Sequence, residues 1–275
     1  MATVLTKKFI AALLKPRKAT ANKTDFGHAL LIAGNTGKMG AAVMAAKACV
    51  RSGAGLTTVC VPQKESAIIQ IAVPEAMVIS RENFPESIEK YAALGIGPGI
   101  GLTKEDEEFF YKLFNNLHKA LVIDADAITL LSKNNDWKKQ LKPNMILTPH
   151  DGEFDRLFGP HNTQKQRLQK ALEFSAQYNG IIVLKGFETA IVSNGNLFIN
   201  KTGNTGLAKG GSGDVLTGII TALLAQGYEP LHAACMGVYL HGSAADFALA
   251  VLSPESMIAT DVIEKIGAAF YALTK

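Results

Sequence analysis

Short apolar runs of strand length alternate with helical patterns from residue 28 almost to the end of the chain. Continuous apolar runs are typical of buried parallel strands, because helices cover both faces of such a sheet. The helical pattern is clearest at 104–117, where Glu and Asp occupy the first turn, as the helix dipole favours. The alternation predicts an α/β fold with a central, mostly parallel sheet and helices on both faces. The first predicted elements are strands Ala29–Ala33, Leu56–Val61, Ala76–Ile79, Ala93–Ile96, Leu121–Ile123 and Met145–Leu147, and helix Met39–Arg51.

The pattern changes after about residue 180, where three short strands precede an almost entirely helical remainder. A Ser-Asn-Gly-Asn turn at 193–196 joins the last two strands. No repeat, low-complexity tract or linker interrupts 28–275, so we predict one domain there, preceded by a basic N-terminal helix and lead-in at 1–27. The predicted elements are strands Ile181–Leu184, Thr189–Val192 and Leu197–Ile199, and helices Val215–Ala225, Leu231–Ala250 and Asp261–Leu273.

Composition and charge exclude several classes of protein. With 48% hydrophobic residues, the chain can bury a large core, so disorder is excluded. Its apolar stretches are shorter than the ~20 residues of a membrane span, so no membrane partner is expected. The net charge of +4 comes from six lysines and arginines in the first 24 residues, and the remainder is mildly acidic. That distribution argues against nucleic acid as a partner. Three cysteines without a CxxC pair predict buried, reduced thiols in a cytoplasmic protein.

Two glycine groups each follow a predicted strand. Gly34, Gly37 and Gly40 open a helix, where backbone N–H groups bind anions, but their GxxGxxG spacing is not the GxGxxG dinucleotide fingerprint. Four glycines at 95–101 place permissive backbone at a strand's carboxyl end, where open α/β sheets bind ligands. Each group by itself is also compatible with a tight strand-to-helix turn.

A third glycine group, at 203–218, is the most informative. Its Gly-Gly-Ser-Gly run at 210–213 precedes a predicted helix and exposes several N–H groups, which form an oxyanion or phosphate cradle. Asp214 follows in the first helical turn. An isolated Asp there is usually a helix cap, but beside a phosphate a carboxylate is costly unless it takes a proton from a hydroxyl. The context therefore favours a general base.

Two further polar clusters follow predicted strands. Asp124 and Asp126 could hold Mg²⁺ or cap a helix that starts near residue 127, and the sequence leaves both readings open. His150 follows Pro149 at a strand exit, with Glu153 one helical step further. A histidine in that position is a candidate for the site.

Taken together, these motifs resemble the NAD(P)H-hydrate dehydratases, the carbohydrate-kinase-domain family of the ribokinase-like superfamily. The resemblance covers residues 28–275, and its most specific part is Gly-Gly-Ser-Gly-Asp-Val-Leu-Thr-Gly at 210–218. The supporting matches, in the family's order, are Gly-Ala-Ala at 40–42, Arg-Ser-Gly-Ala-Gly-Leu at 51–56, Gly-Pro-Gly at 97–99, Asp-Ala-Asp-Ala at 124–127, Thr-Pro-His at 148–150 with Gly-Glu at 152–153, and Lys-Gly at 185–186 with Thr189.

The resemblance implies a ribokinase-like fold and nicotinamide nucleotide repair. The family dehydrates the S epimer of hydrated NADH or NADPH by phosphoryl transfer from ADP, or ATP, with Mg²⁺, and releases AMP or ADP and phosphate. It also implies a homotetramer and a separate epimerase as functional partner, since the fused epimerase domain of many bacterial members is not seen here. The family's usual His-Lys-Gly lead-in reads Asn-Lys-Thr at 22–24.

The family's site residues carry over position by position. Asp214 would be the base and would also contact the hydrated dinucleotide, with Ala41, Gly99 and His150. N–H groups at 211–213 would stabilise the transferred phosphoryl group, and Glu153 is the candidate to orient the water shell of Mg²⁺. The ADP or AMP site would comprise Lys185, Gly186, Phe187, Glu188, Thr189 and Gly213.

Two alternatives use the same motifs. A ribokinase-like small-molecule kinase, of the hydroxyethylthiazole or hydroxymethylpyrimidine type, would use the same cradle and aspartate but release a stable phosphorylated alcohol. The contexts at 40–42 and 148–150 argue against it. A catalytically silent nucleotide sensor would bind without turnover, and the intact Gly-Ser-Gly-Asp argues against that.

Overall fold

The computed structural model of this protein describes residues 2–134 and 136–275, and ten strands of that part form one sheet. Their apolar side chains point alternately to the two faces, as a sheet covered on both sides requires. The strands are β1 (Ala2–Val4), β2 (His28–Ile32), β3 (Leu56–Val61), β4 (Met77–Ser80), β5 (Ala93–Ile96), β6 (Ala120–Ile123), β7 (Met145–Leu147), β8 (Ile181–Leu184), β9 (Ala190–Ser193) and β10 (Asn196–Ile199).

The strand order is β1-β10-β9-β8-β7-β6-β5-β2-β3-β4, and of these strands only β9 runs antiparallel to its neighbours. The prediction of a mostly parallel sheet is therefore confirmed. The chain moves outward from β2 to β3 and β4, then crosses to β5 on the other side of β2. This reversal creates a topological switch point at the carboxyl ends of β2 and β5, where α/β sheets bind ligands.

Ten helices of the described residues cover the two faces of the sheet. In β2, Ala29 and Leu31 belong to the core on one face, whereas Leu30 and Ile32 belong to the core on the other. The helices of the first face are α1 (Lys7–Leu13), α2 (Met39–Arg51), α3 (Ser66–Ala72), α8 (Ser212–Ala225), α9 (Pro230–Leu249) and α10 (Ala259–Leu273). Those of the second are α4 (Lys104–Asn116), α5 (Ala125–Ser132), α6 (Asp151–Phe158) and α7 (Gln164–Gln177).

Helices α2 and α8 approach each other closely, which brings their N-termini to the same edge of the sheet. Gly218 of α8 makes this approach possible, because a Cβ there would collide with the carbonyl oxygen of Ala45 in α2. Residues 215–225 of α8 are buried, so the body of this helix is packed in the core.

The lead-in contains one element that the sequence does not predict. Residues 2–4 form β1, which pairs in parallel with β10 at the edge of the sheet, and α1 packs against α9 and α10. All three residues of β1 are exposed, so they carry no alternating pattern to reveal a strand. Elsewhere the sequence analysis names no helix where α3, α6 and α7 lie, and some helix starts differ, since α8 begins three residues earlier than predicted, at Ser212.

The structure also bears on two predictions from composition, one about the cysteines and one about the length of apolar segments. The three cysteines, Cys49, Cys60 and Cys235, are buried and unpaired, as expected. Among the described helices, none combines the length and the apolar character that a bilayer crossing requires.

Candidate active site

Five neighbouring parallel strands bring the predicted site residues to one edge of the sheet. The glycine turns at 34–37 and 97–101 follow β2 and β5, Asp124 follows β6, His150 lies three residues after β7, and Lys185 follows β8. Parallel strands expose their carboxyl ends together, so residues distant in sequence meet here.

Lys185 and Asp124 form the electrostatic centre of this edge. The Lys185 Nζ lies 2.8 Å from Asp124 Oδ1 and 3.6 Å from Glu153 Oε2. The Thr217 hydroxyl of α8 donates to the other Asp124 oxygen at 2.9 Å. Burial by itself would lower the pKa of Lys185, but Asp124 and Glu153 outweigh it and raise that pKa. A fixed ammonium group is therefore held beside the N-terminus of α8.

Asp214 has the properties of a general base. It lies in the first turn of α8, while Gly211 occupies the N-cap position, so the helix-cap reading of Asp214 does not apply. Burial raises the pKa of Asp214 to about 7, and the nearby charge of Asp124 adds to this, against the opposing effect of Lys185. A carboxyl group with a pKa near neutrality can accept a proton from a hydroxyl and release it again.

The glycine-rich turn at 210–213 leads into α8 and lies close to Lys185. Gly211 adopts a left-handed conformation with φ of 93°. A Cβ at Gly213 would lie 3.3 Å from Lys185 Nζ, so the turn passes directly beside the ammonium group. The Ser212 hydroxyl lies 3.3 Å from Nε2 of His241, whose pKa burial lowers to about 4, so that His241 is neutral. The N-terminus of α8 and the Lys185 ammonium group together form a candidate anion site.

A cavity of about 720 Å³ opens next to this anion site. Its volume suits a nucleotide. The wall contains five of the six residues predicted to bind ADP or AMP; the sixth, Glu188, lies outside it and pairs with Lys201 at 3.3 Å. Phe187 lies in the cavity wall and is 95% exposed. His241, which the sequence analysis did not single out, also contributes to the wall.

His150 has a structural role in addition to lining this cavity. Its Nδ1 accepts from the backbone N–H of Gly152 at 3.0 Å, which caps α6, and Glu153 accepts from the His150 N–H at 2.9 Å. This capping box fixes Glu153 beside Lys185.

Ala41 and Gly99 lie together at the switch point and do not belong to the wall of that cavity as the described residues define it. A Cβ at Gly99, whose φ is 62°, would be 3.2 Å from the Ala41 Cβ and 3.1 Å from Lys38. Asp126 links both turns, because its Oδ2 accepts from Lys38 Nζ at 3.2 Å and from the Gly101 N–H at 3.0 Å. Asp126 also adds to the raised pKa of Asp214. Ala41 and Gly99 therefore border a second surface, which lies on the side of Asp126 and Asp214.

Asp124 and Asp126 follow β6 at the start of α5, where the sequence allows either a Mg²⁺ site or a helix cap. Asp124 occupies the N-cap position of α5, but its side chain makes no capping hydrogen bond and binds Lys185 and Thr217 instead. In residues 2–134 and 136–275, no group of three or more His, Cys, Asp or Glu side chains is placed to hold a metal ion. Asp124 and Glu153 supply the hard oxygen donors that suit Mg²⁺ bound mainly through phosphates and water.

Several site residues escaped the sequence analysis. Thr217 lies one turn after Asp214 on the same helix, and that three-residue spacing could have indicated it. Asp246 of α9 holds the glycine loop through the Gly203 N–H at 2.9 Å, and no local pattern announces this contact.

A mostly parallel sheet with a glycine-rich anion site and a carboxylate in the first turn of the following helix defines the ribokinase-like class. The family model of the NAD(P)H-hydrate dehydratases matches residues 29–268, and the chain belongs to that family.

Individual relatives agree with this membership. The chain is 36% identical to the ADP-dependent (S)-NAD(P)H-hydrate dehydratase of Listeria monocytogenes over 86% of either chain. It is 38% identical to the bifunctional NAD(P)H-hydrate repair enzyme of Escherichia coli over 92% of its own length but spans only 49% of that relative. A crystal structure of the ADP/ATP-dependent NAD(P)H-hydrate dehydratase from Bacillus subtilis, co-crystallized with ATP/Mg²⁺, superposes with a TM-score of 0.89 at 33% identity and 99% coverage of both chains.

Proposed function

We propose that this chain dehydrates the S epimer of hydrated NADH or NADPH at the expense of ADP or ATP, and so regenerates the reduced dinucleotide. The observation that carries the proposal is Asp214, a carboxyl group with a pKa raised to about 7 at the anion-binding start of α8. Family membership supports the choice of substrate.

In the proposed reaction, the oxygen of the C6 hydroxyl attacks the terminal phosphoryl group of the nucleotide, and Asp214 accepts the proton of that hydroxyl. The bond from that phosphorus to the bridging oxygen breaks, which releases AMP from ADP or ADP from ATP. The C6–O bond of the phosphorylated hydrate then breaks, phosphate leaves, and a proton lost from C5 restores the dihydronicotinamide ring. Atoms and charge balance without a redox step.

The N–H groups at 211–213 and Lys185 would stabilise the charge on the transferred phosphoryl group. The nucleotide would occupy the cavity of about 720 Å³, with its base near Phe187 and Thr189 and its phosphates near Lys185, Gly186 and Gly213. Glu188, which lies beside this wall, would contact the nucleotide from its rim.

The hydrated dinucleotide would lie against Ala41, Gly99 and His150, where small side chains let a flat ring approach the backbone. Mg²⁺, when bound, would neutralise phosphate charge, and Glu153 and Asp124 are the residues that would hold its water shell.

The proposed partner and assembly are those that the family resemblance implies. We propose that a separate NAD(P)H-hydrate epimerase converts the other epimer for this domain. Buried, unpaired cysteines support a reducing compartment such as the cytoplasm. For the assembly we propose a homotetramer. Light scattering on the purified protein should give about four times the chain mass of 29.3 kDa.

The decisive assay supplies hydrated NADH or NADPH, Mg²⁺ and either ADP or ATP, and follows absorbance at 340 nm with nucleotide products. We expect absorbance to recover in step with AMP or ADP release. No recovery with either nucleotide would overturn the proposal. A stable phosphorylated alcohol formed from a thiazole or pyrimidine alcohol would instead establish the kinase reading.

A further inference from the structure

The two glycine turns at the switch point share one buried arginine. Arg81, the residue after β4, donates through Nη1 to the carbonyl oxygen of Ile100 at 2.8 Å and through Nη2 to the carbonyl oxygen of Gly34. One planar guanidinium group therefore binds both the turn after β2 and the turn after β5.

A carboxylate and an amide complete this cluster. Asp106 of α4 lies 3.2 Å from Arg81 Nη1, and the two side chains are only 10% and 11% exposed. Asn35 of the first turn donates to the Ile100 carbonyl oxygen at 2.9 Å and faces Asp106 at 3.3 Å. The buried charge of Arg81 is thus paired, as burial of an ion requires.

Both turns need such external contacts, because their glycines have many accessible backbone conformations. Gly34, Gly99 and Gly101 all have positive φ, between 62° and 101°, and glycine enters that region without steric cost. A direct hydrogen bond from the Gly34 N–H to the Pro98 carbonyl oxygen, at 2.7 Å, joins the turns to each other. Arg81 adds two bonds that fix their spacing from the side.

That spacing determines the surface beside the base. Ala41 lies in the first turn of α2, which follows the first glycine turn, and Gly99 lies in the second glycine turn, with 3.2 Å between the Ala41 Cβ and the position of a Cβ on Gly99. A shift of about 1 Å in either turn would change the separation of Ala41 and Gly99, and with it the space in which a flat ring could lie against them.

We propose that Arg81 is a positioning residue for the dinucleotide half of the site: it holds the turns at Gly34 and Ile100 in the spacing at which Ala41 and Gly99 accept the hydrated nicotinamide dinucleotide. This role rests on the proposed function. The nucleotide cavity lies around Lys185 and does not include either turn among the described residues, so Arg81 affects one substrate and not the other.

Lysine cannot replace Arg81 in this role. A guanidinium group presents several donors in one fixed plane, whereas an ammonium group is a point charge on a flexible stem. Lysine at 81 preserves the charge beside Asp106 but cannot bond both carbonyl oxygens in the same geometry.

The test compares steady-state kinetics of Arg81→Lys and Arg81→Gln with the wild-type protein. We expect the KM for the hydrated dinucleotide to rise about tenfold, the scale of one or two lost hydrogen bonds. The KM for ADP should stay within about twofold. Arg51→Gln is the matched control, because Arg51 is 60% exposed, at the far end of α2, and pairs only with Glu264 among the described residues; it should change neither KM. Thermal unfolding of each variant separates destabilisation from the kinetic effect.

Equal changes in both KM values, or a lower melting temperature with both KM values unchanged, would overturn the positioning role. Wild-type protein that does not turn over the hydrated dinucleotide would instead overturn the proposed function. Should both Arg81 variants fail to fold, Asn35→Ala loosens the second turn and leaves Arg81 in place. It should raise the same KM about threefold, and an unchanged KM would count against the proposal.

Discussion

Helix α8 has a cavity at each end, and the two cavities differ in chemistry more than in size. The one at its N-terminus, about 720 Å³, adjoins the glycine-rich turn, Lys185 and Ser212. The one at its C-terminus is larger, about 950 Å³, and is lined by the lead-in and by the ends of α2, α8 and α10. A helix exposes N–H groups at its first turn and carbonyl groups at its last, so the two ends attract opposite charges.

Two cations of the larger cavity, Lys15 and Arg17, are bonded to neighbouring parts of the protein. Lys15 donates to the Gly227 carbonyl oxygen at 2.6 Å. Arg17 donates to the Gly53 carbonyl oxygen at 2.7 Å and stacks 3.8 Å from the ring of Phe26. The basic lead-in thus satisfies helix C-termini and attaches residues 15–26 to the domain.

Beside the smaller cavity, the first turn of α8 carries Asp214, a carboxyl group of raised pKa, and such an arrangement costs stability and is typical of catalytic sites. Cavity volume alone would have favoured the C-terminal end of α8. Helix polarity, and the partners of the charged side chains at each end, favour the N-terminal end as the candidate site.

The largest expected effect is at the N-terminal end. Asp214→Asn keeps the shape of the side chain but removes the base, so turnover should fall about 10³-fold. The affinity for ADP, measured by calorimetry, should not weaken, because the substitution removes a negative charge that would repel the phosphates of ADP. Turnover close to that of the wild type would contradict the assignment of Asp214 as the base.

A pH profile tests the same group more finely. With a pKa of about 7, Asp214 should limit kcat below pH 7, and the rate should fall about tenfold per pH unit there. The free energy of unfolding should depend on pH in the opposite direction. The folded-state pKa lies above the ordinary value of 3.8, so the folded protein binds the extra proton, and its free energy of unfolding should decline as pH rises from about 4 to 7.

Asp214→Asn provides the control for the pH dependence of stability. Its melting temperature should decline less across the same interval, because the substituted amide does not ionise. An identical decline in the wild type and the variant would assign the pH dependence of stability to other groups.

The smallest effect is expected at the C-terminal end. Arg17→Gln removes a cation from the helix C-termini and should lower the free energy of unfolding by about 0.5–1 kcal/mol. Denaturant unfolding measures this, and kcat and both KM values should stay unchanged. A loss of activity at unaltered stability would show that the larger cavity also serves the reaction.

Much of the architecture follows from local pattern. The apolar runs of β2, β3, β5 and β7 predict buried parallel strands, and the glycine run before α8 predicts an anion site with a carboxylate beside it. Such features depend on residues within a few positions of each other, so periodicity and spacing are sufficient.

Contacts between distant segments could not be predicted in this way. Arg81 meets Gly34, Ile100 and Asp106 only because the chain reverses direction in the sheet after β4. Thr217 binds Asp124 only because α8 crosses over the end of β6. Strand β1 depends on an edge that β10 creates, and its exposed residues show no pattern of their own.

The sequence by itself determined the α/β class, the glycine turns and the candidate base, since each is encoded in a short stretch of residues. Tertiary structure decided the pKa of that base, the partners of Lys185 and Asp124, and the use of the basic lead-in as a cap for helix C-termini. These properties depend on burial and on charges brought together from distant parts of the chain, and such proximity exists only after the sheet has ordered its strands.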